Sequence, residues 1–304
     1  MPTEISLQKT DARAQLKKLA PLHLARPVFF VPGWSDQACL CWTEPYTEAG
    51  IDRRAGWEYT IQDWVEEVVD PADRLKVYYV KLVEDDKNLL IERFSRGTNQ
   101  GKIQSVDWSR DPSAQYENFF KFAELLKRKI RDVGAADYDL IGHSMGGLDI
   151  IAATLLDRGH DPEPEVQRFI TSDPLAGVNT IMTVATPFRG SPLASFVERN
   201  HLDDILRLNW SDGIRKQAEA MFPQSPFIQI ITDPSREARL ITRVKGSIHT
   251  FGSENDPATP NQARMIDGAI NHPAGGFELA RHSMIMGITQ DPRLALAIFT
   301  ILAT

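Results

Sequence analysis

Apolar residues recur at two different periods along the chain. In QYENFFKFAELLKRKIRD (115–132), Phe119, Phe122, Leu125, Leu126 and Ile130 follow helical spacing and predict an amphipathic helix. WEYTIQDWVEEVV (57–69) places Trp57, Ile61, Trp64, Val65 and Val68 near one helical face. A short helix is predicted over 8–20, a mostly helical stretch over 190–235 and a terminal helix over Pro292–Leu302. Other runs are rich in β-branched and aromatic residues and predict buried strands: RPVFFVPGW (26–34), LKVYYVKLV (75–83), Tyr138–Ile141 and Gly177–Ala185. Arg239–Phe251 also reads as strand, and Phe277–Ala280 as a short last one. The polar, Gly-containing stretch 84–114 offers only two short candidates, Asn88–Phe94 and Lys102–Trp108. Strands that alternate with helices in this way predict an α/β fold, a mostly parallel sheet covered on both faces. Right-handed crossovers then bring the C-terminal ends of the strands to one edge, where sites are built.

The chain has 304 residues, enough for one large α/β domain or two smaller ones. Its formal net charge of −7 and scattered Lys and Arg argue against a nucleic-acid partner. Cys39 and Cys41 stand too close to pair with each other and have no third cysteine, so no disulfide framework or zinc site is expected. The first 22 residues contain no uninterrupted apolar stretch of the signal-peptide kind, and no run is long enough to cross a bilayer. Cytoplasmic residence is the default expectation.

One apolar run is interrupted. DYDLIGHSMGGLDIIAATLL (137–156) breaks at Gly142-His143-Ser144-Met145-Gly146-Gly147 and then turns apolar again. A strand passing abruptly into a helix needs small residues around the turn, and G-x-S-x-G supplies them at 142 and 146. Such a turn holds Ser144 in a strained backbone conformation with its hydroxyl above the sheet. The helix starting at Met145 aims its free N–H groups at a centre where negative charge develops. A Gly-rich turn cradling a phosphate would use similar residues. The strand before and the apolar helix after favour a nucleophile.

GHSMGG resembles the nucleophile elbow of the α/β-hydrolase superfamily, in the form common among bacterial lipases and esterases. TVATPFRGSPLA (183–194) is similar to the TPHxGS segment of those lipases. Phe188 stands where that pattern usually has His, so no catalytic role is expected of position 188. The resemblance spans roughly residues 26–304. It implies an α/β-hydrolase fold with a helical cap or lid insertion: an N-terminal extension (1–25), a core (26–189 and 236–304) and a cap (190–235).

The resemblance also implies a triad in the chain order Ser, acid, His. Two histidines follow the best acid candidate, His272 and His282. His282, between a short apolar stretch and the terminal helix, has the context of the family's base, whereas His272 sits in an Asn-His-Pro turn. Asp256 in GSENDPATPNQA fits the acid, with Glu254 and Asp267 as rivals; aspartates before proline are also common turn caps. The oxyanion hole would use the backbone N–H groups of Met145 and Trp34, Gly33 allowing close approach. In the cap, Leu193, Phe196, Leu206 and Trp210 would line an acyl pocket. The stretch 35–56 with its aromatic residues, Trp42 among them, follows the oxyanion strand and would form a further wall.

The implied activity is carboxylic-ester hydrolysis through an acyl-enzyme, with no metal or organic cofactor. A serine acyltransferase or thioesterase would use the same residues, and a ligand receptor could keep the fold without the chemistry. The expected partner is a small-molecule or lipid ester, with transient contact to a lipid interface through the cap.

Overall fold

A computed structural model describes residues 9–33, 42, 59–83, 88–93, 104–107, 119–192, 219–253, 256, 258–273 and 288–304. Eight strands form one sheet: β1 (Val28–Val31), β2 (Val77–Val83), β3 (Asn88–Arg93), β4 (Gln104–Asp107), β5 (Tyr138–His143), β6 (Val178–Val184), β7 (Ser247–Phe251) and β8 (Ile270–Asn271). Their order is β4-β3-β2-β1-β5-β6-β7-β8. From β2 through β8 every neighbouring pair is parallel. The two short candidates in 84–114 are β3 and β4, an antiparallel edge on the otherwise parallel sheet.

The alternation of side chains along the strands divides the core in two. Phe29 and Val31 of β1, Leu140 of β5 and Ile181 of β6 face a layer built on α3 (Phe119–Val133), α4 (Met145–Leu155), α5 (Pro164–Phe169), α6 (Pro226–Ile231) and α7 (Pro234–Arg243). Val28 and Phe30, Ile141, Met182 and Phe251 face the other layer: α1 (Lys9–Leu19), α2 (Ile61–Val68) and α9 (Pro292–Leu302). A one-turn helix, α8 (Asn261–Arg264), lies between β7 and β8. No helix among the described residues is long and apolar enough to cross a membrane.

Helix starts follow local chemistry. Thr60 and Asp63 form a reciprocal capping box at α2. Ser225, Asp233 and Asp291 cap α6, α7 and α9, each followed by a proline whose missing N–H would have had no partner there. This signal decides a stretch read wrongly above. The β-branched residues of 239–251 suggested a single strand, but Asp233-Pro234 starts a helix that runs to Arg243, and β7 begins only at Ser247. Leu240, fully buried, anchors that helix to the core.

α4 carries the chemistry considered next, and it is buried at all eleven positions. Lys127 of α3, itself fully buried, donates to the carbonyl of Leu156 at the end of α4 (2.8 Å), where a cation complements the helix dipole. Burial pushes the Lys127 ammonium down to about 8.

Candidate active site

Ser144 lies between β5 and α4 at the C-terminal edge of the sheet, with φ 51° and ψ −123°. An L-residue rarely adopts these angles, and two glycines show why the chain does so here. A Cβ at Gly142 would lie 2.5 Å from the Gly147 nitrogen, and one at Gly146 would lie 2.2 Å from the Pro32 oxygen. Strand, turn and helix therefore close more tightly than any side chain at 142 or 146 allows. The Ser144 N–H donates to Val184 O (2.8 Å), which ties the turn to β6. As the first residue of α4, Met145 presents an N–H with no acceptor inside the helix.

The chain leaving β1 presses on this turn. A Cβ on Gly33 would come within 3.0 Å of Ser144 Cβ and 2.8 Å of His143 Nδ1. The Pro32–Gly33 turn thus abuts the serine, next to the position expected to supply the second oxyanion donor. Trp34 itself lies outside the described residues.

Asp256 follows β7, the second strand beyond β5, and is buried. Its Oδ1 accepts from the N–H groups of Ala258 (2.9 Å) and Thr259 (3.1 Å). Thr259 Oγ1 in turn donates to Ala185 O (3.0 Å), just past the end of β6. The loop bearing the carboxylate is therefore fastened to the strand next to the serine. Of its rivals, Asp267 is almost fully exposed and faces Arg189 at 3.6 Å, and Glu254 lies outside the described residues.

His272, the other histidine after the acid candidate, is buried against β7. It follows β8, the third strand beyond β5. Its ring stacks on Phe251 (4.3 Å, 11°), and its Nε2 lies 3.0 Å from His249 Nδ1. Ser247 Oγ lies 2.7 Å from His249 Nε2. Burial pushes both imidazoles down to about 4. A proton added to whichever ring accepts this bond would also set two N–H groups against each other at 3.0 Å. Sequence reasoning missed this pair, and nothing in the spacing of 249 and 272 announces it.

His282 and the expected acyl-pocket residues Leu193, Phe196, Leu206 and Trp210 lie outside the described residues. Phe188, by contrast, is fully buried in the core, as its apolar character requires. The segment around it joins parts of the chain. Arg189 donates to both carboxylate oxygens of Glu237 at 2.9 Å, and the Ser191 N–H donates to Met221 O.

Another group missed from sequence is Asp149, five residues after the serine. It is fully buried, and neither oxygen has a hydrogen-bond partner among the described residues. Burial pushes its carboxyl well above the usual carboxylate range.

Among the described residues one cluster has the composition of a metal site, His23 with Asp70 and Asp73, ligand atoms all within 4.8 Å. It adjoins the N-terminal end of the sheet, away from Ser144, and Lys76 Nζ already supplies a cation 2.7 Å from Asp73 Oδ1.

No family model matches the sequence, and no curated protein matches it. Solved structures do. The mature form of Bacillus licheniformis lipase BlEst2 is 16% identical, with a TM-score of 0.51 over 92% of each chain. The propeptide form of the same lipase also gives 16% identity and 0.51, over 92% of this chain and 50% of that one. At this identity the likeness is one of fold.

Proposed function

This chain has the α/β-hydrolase fold, and on that fold we propose a serine carboxylic-ester hydrolase of the lipase or esterase type. The observation that carries the reading is the backbone of Ser144. Positive φ in a buried, hydrogen-bonded turn, at the N-terminus of a helix, is a costly way to place a serine unless its hydroxyl is used.

His282 is the general base and Asp256 its orienting acid. His282 takes the hydroxyl proton as Ser144 Oγ bonds to the ester carbonyl carbon. The N–H groups of Met145 and Trp34 stabilise the oxyanion of the tetrahedral intermediate. His282 then protonates the departing alkoxide and an alcohol leaves. A water, deprotonated by the same imidazole, attacks the acyl-enzyme and releases the acid and free Ser144. Asp256 accepts from His282 Nδ1–H, fixes its tautomer and stabilises the imidazolium. Leu193, Phe196, Leu206 and Trp210, in the cap over 190–235, receive the acyl chain.

The test is a series of p-nitrophenyl esters of increasing chain length, with Ser144→Ala as control. Turnover by the wild type that disappears in the variant supports the assignment, and the chain-length profile reports the acyl pocket. Equal rates in the two proteins would remove Ser144 from the mechanism.

A further inference from the structure

Trp42 joins the two elements that flank Ser144. Its indole is fully buried. Nε1–H donates to Val31 O (3.2 Å), the last carbonyl of β1. The ring packs on Phe30 (5.3 Å) and meets the His143 ring edge-on (6.1 Å, 85°). One side chain thus touches the end of the oxyanion strand and the residue that immediately precedes the nucleophile.

We propose that Trp42 is a positioning residue for the oxyanion hole, an inference that rests on the ester-hydrolase reading above. The reasoning is covalent geometry. A peptide is planar, so holding Val31 O in place also holds the nitrogen of Pro32. The proline ring fixes φ at Pro32 near −65°, which leaves its ψ as the one soft dihedral before Gly33. The N–H expected to face the oxyanion belongs to the next residue, Trp34. The bond from Trp42 therefore acts two peptides upstream of that donor, and the two Gly33 dihedrals between them are restrained by the packing of Gly33 against His143 and Ser144. Contact with His143 references the same indole to the elbow. The Val31 and Pro32 oxygens also lie against the first turn of α4, 2.7 and 2.2 Å from where a Gly146 Cβ would stand. Rotation of the Val31–Pro32 peptide would disturb both sides of the hole together.

The experiment compares wild type, Trp42→Phe and a variant carrying benzothienylalanine at position 42. The last keeps the fused-ring shape but has no N–H to donate, so it folds where the smaller phenyl fails. Each protein is titrated with a fluorophosphonate, which counts reactive serines, and kcat and KM for a p-nitrophenyl ester are expressed per titrated site. Affinity for an alkyl boronic acid, which forms a tetrahedral anion on the serine, is measured alongside. The expected result is a ten- to hundredfold fall in kcat, the order that a small misplacement of an oxyanion donor produces. KM should stay within about twofold and boronate affinity should fall in parallel. Loss of titratable sites with unchanged kcat per site would reduce Trp42 to a folding role and overturn the inference. A raised KM at constant kcat would make it a pocket wall, with the same consequence. If wild-type hydrolysis matches that of Ser144→Ala, the ester-hydrolase reading fails first and takes this inference with it.

Discussion

Strain at the nucleophile can be measured apart from catalysis, because Ser144→Gly and Ser144→Ala both remove the hydroxyl. Alanine keeps the Cβ and must still occupy φ 51°, ψ −123°. Glycine adopts those angles freely. A residue held in such a region costs about 1–3 kcal/mol. Glycine also loses more backbone entropy on folding, an opposing cost of about 0.5–1 kcal/mol. The difference leaves the glycine variant more stable than the alanine variant by about 1 kcal/mol. Urea unfolding of the two inactive proteins reads this directly, provided their m-values agree. A control sets the sign: Ala152→Gly, at helical angles inside the same α4, should destabilise by about 1 kcal/mol. An alanine variant at 144 as stable as the glycine variant would mean the elbow is relaxed, and the argument that a strained serine signals use would fall.

Other outcomes follow from the same contacts. Gly146→Ala pushes a methyl to 2.2 Å from Pro32 O, which must retreat by about 1 Å; kcat should fall roughly a hundredfold and stability by about 1–3 kcal/mol, read by ester turnover and urea midpoint. His249 and His272 sit at about 4 when folded, below the ordinary imidazole value of 6.5. The unfolded chain therefore binds more protons between those values, and stability should drop as pH falls from about 6.5 to 4. His272→Phe should flatten that slope while costing about 1–3 kcal/mol at neutral pH for the His249 nitrogen left unpaired; an unchanged slope in pH-dependent urea titrations would disprove the assignment. Asp149 has the opposite sign: its folded carboxyl is raised, so its contribution is complete below the unfolded value near 3.8 and is lost as pH climbs. Asp149→Asn should gain on the wild type as pH rises above about 4, and a constant difference in unfolding midpoint would refute the raised carboxyl.

Where the chain announces itself, the reason is periodicity or covalent constraint. α3 and the strands β1, β2, β5 and β6 were readable because their burial is one- or two-sided and continuous. The elbow was readable because glycine is required at two positions where a Cβ would stand only 2.2–2.7 Å from neighbouring backbone. Three kinds of feature were not. The helix over 234–243 was hidden by Ile241, Thr242 and Val244, β-branched residues whose preference yielded to the cap at Asp233 and the burial of Leu240. The antiparallel edge of β3 and β4 leaves no mark in such short strands, since strand direction is set by a turn and not by side-chain pattern. Contacts between distant residues, such as the pairing of His249 with His272 across two strands or the reach of Trp42 to Val31, have no local signature at all.

These non-local contacts explain how a strained serine persists. Positive φ recurs at Ala185, the residue after β6, and its N–H donates to Phe251 O while its carbonyl accepts from Thr259. Two strained positions thus lie on adjacent strand ends, each bonded to its neighbour: Ser144 to Val184, Ala185 to Phe251. Relaxing one would break a bond to the next strand, so the edge resists as a unit. The helix behind the serine adds the larger force. Burial of Leu148, Ile150, Ile151 and Leu155, at about 1.5–3 kcal/mol each, exceeds the 1–3 kcal/mol of strain at Ser144. Placing only apolar or small residues on α4 apart from Asp149 and Thr154 is thus what lets a high-energy turn stand at its start. It also predicts where the elbow first fails. Ile150→Val and Ile151→Val, each costing about 0.5–1.5 kcal/mol, should lower the urea midpoint while leaving kcat per titrated serine unchanged until global unfolding. A fall in kcat per site well before that point would show the elbow opening independently of the sheet edge that is argued to hold it.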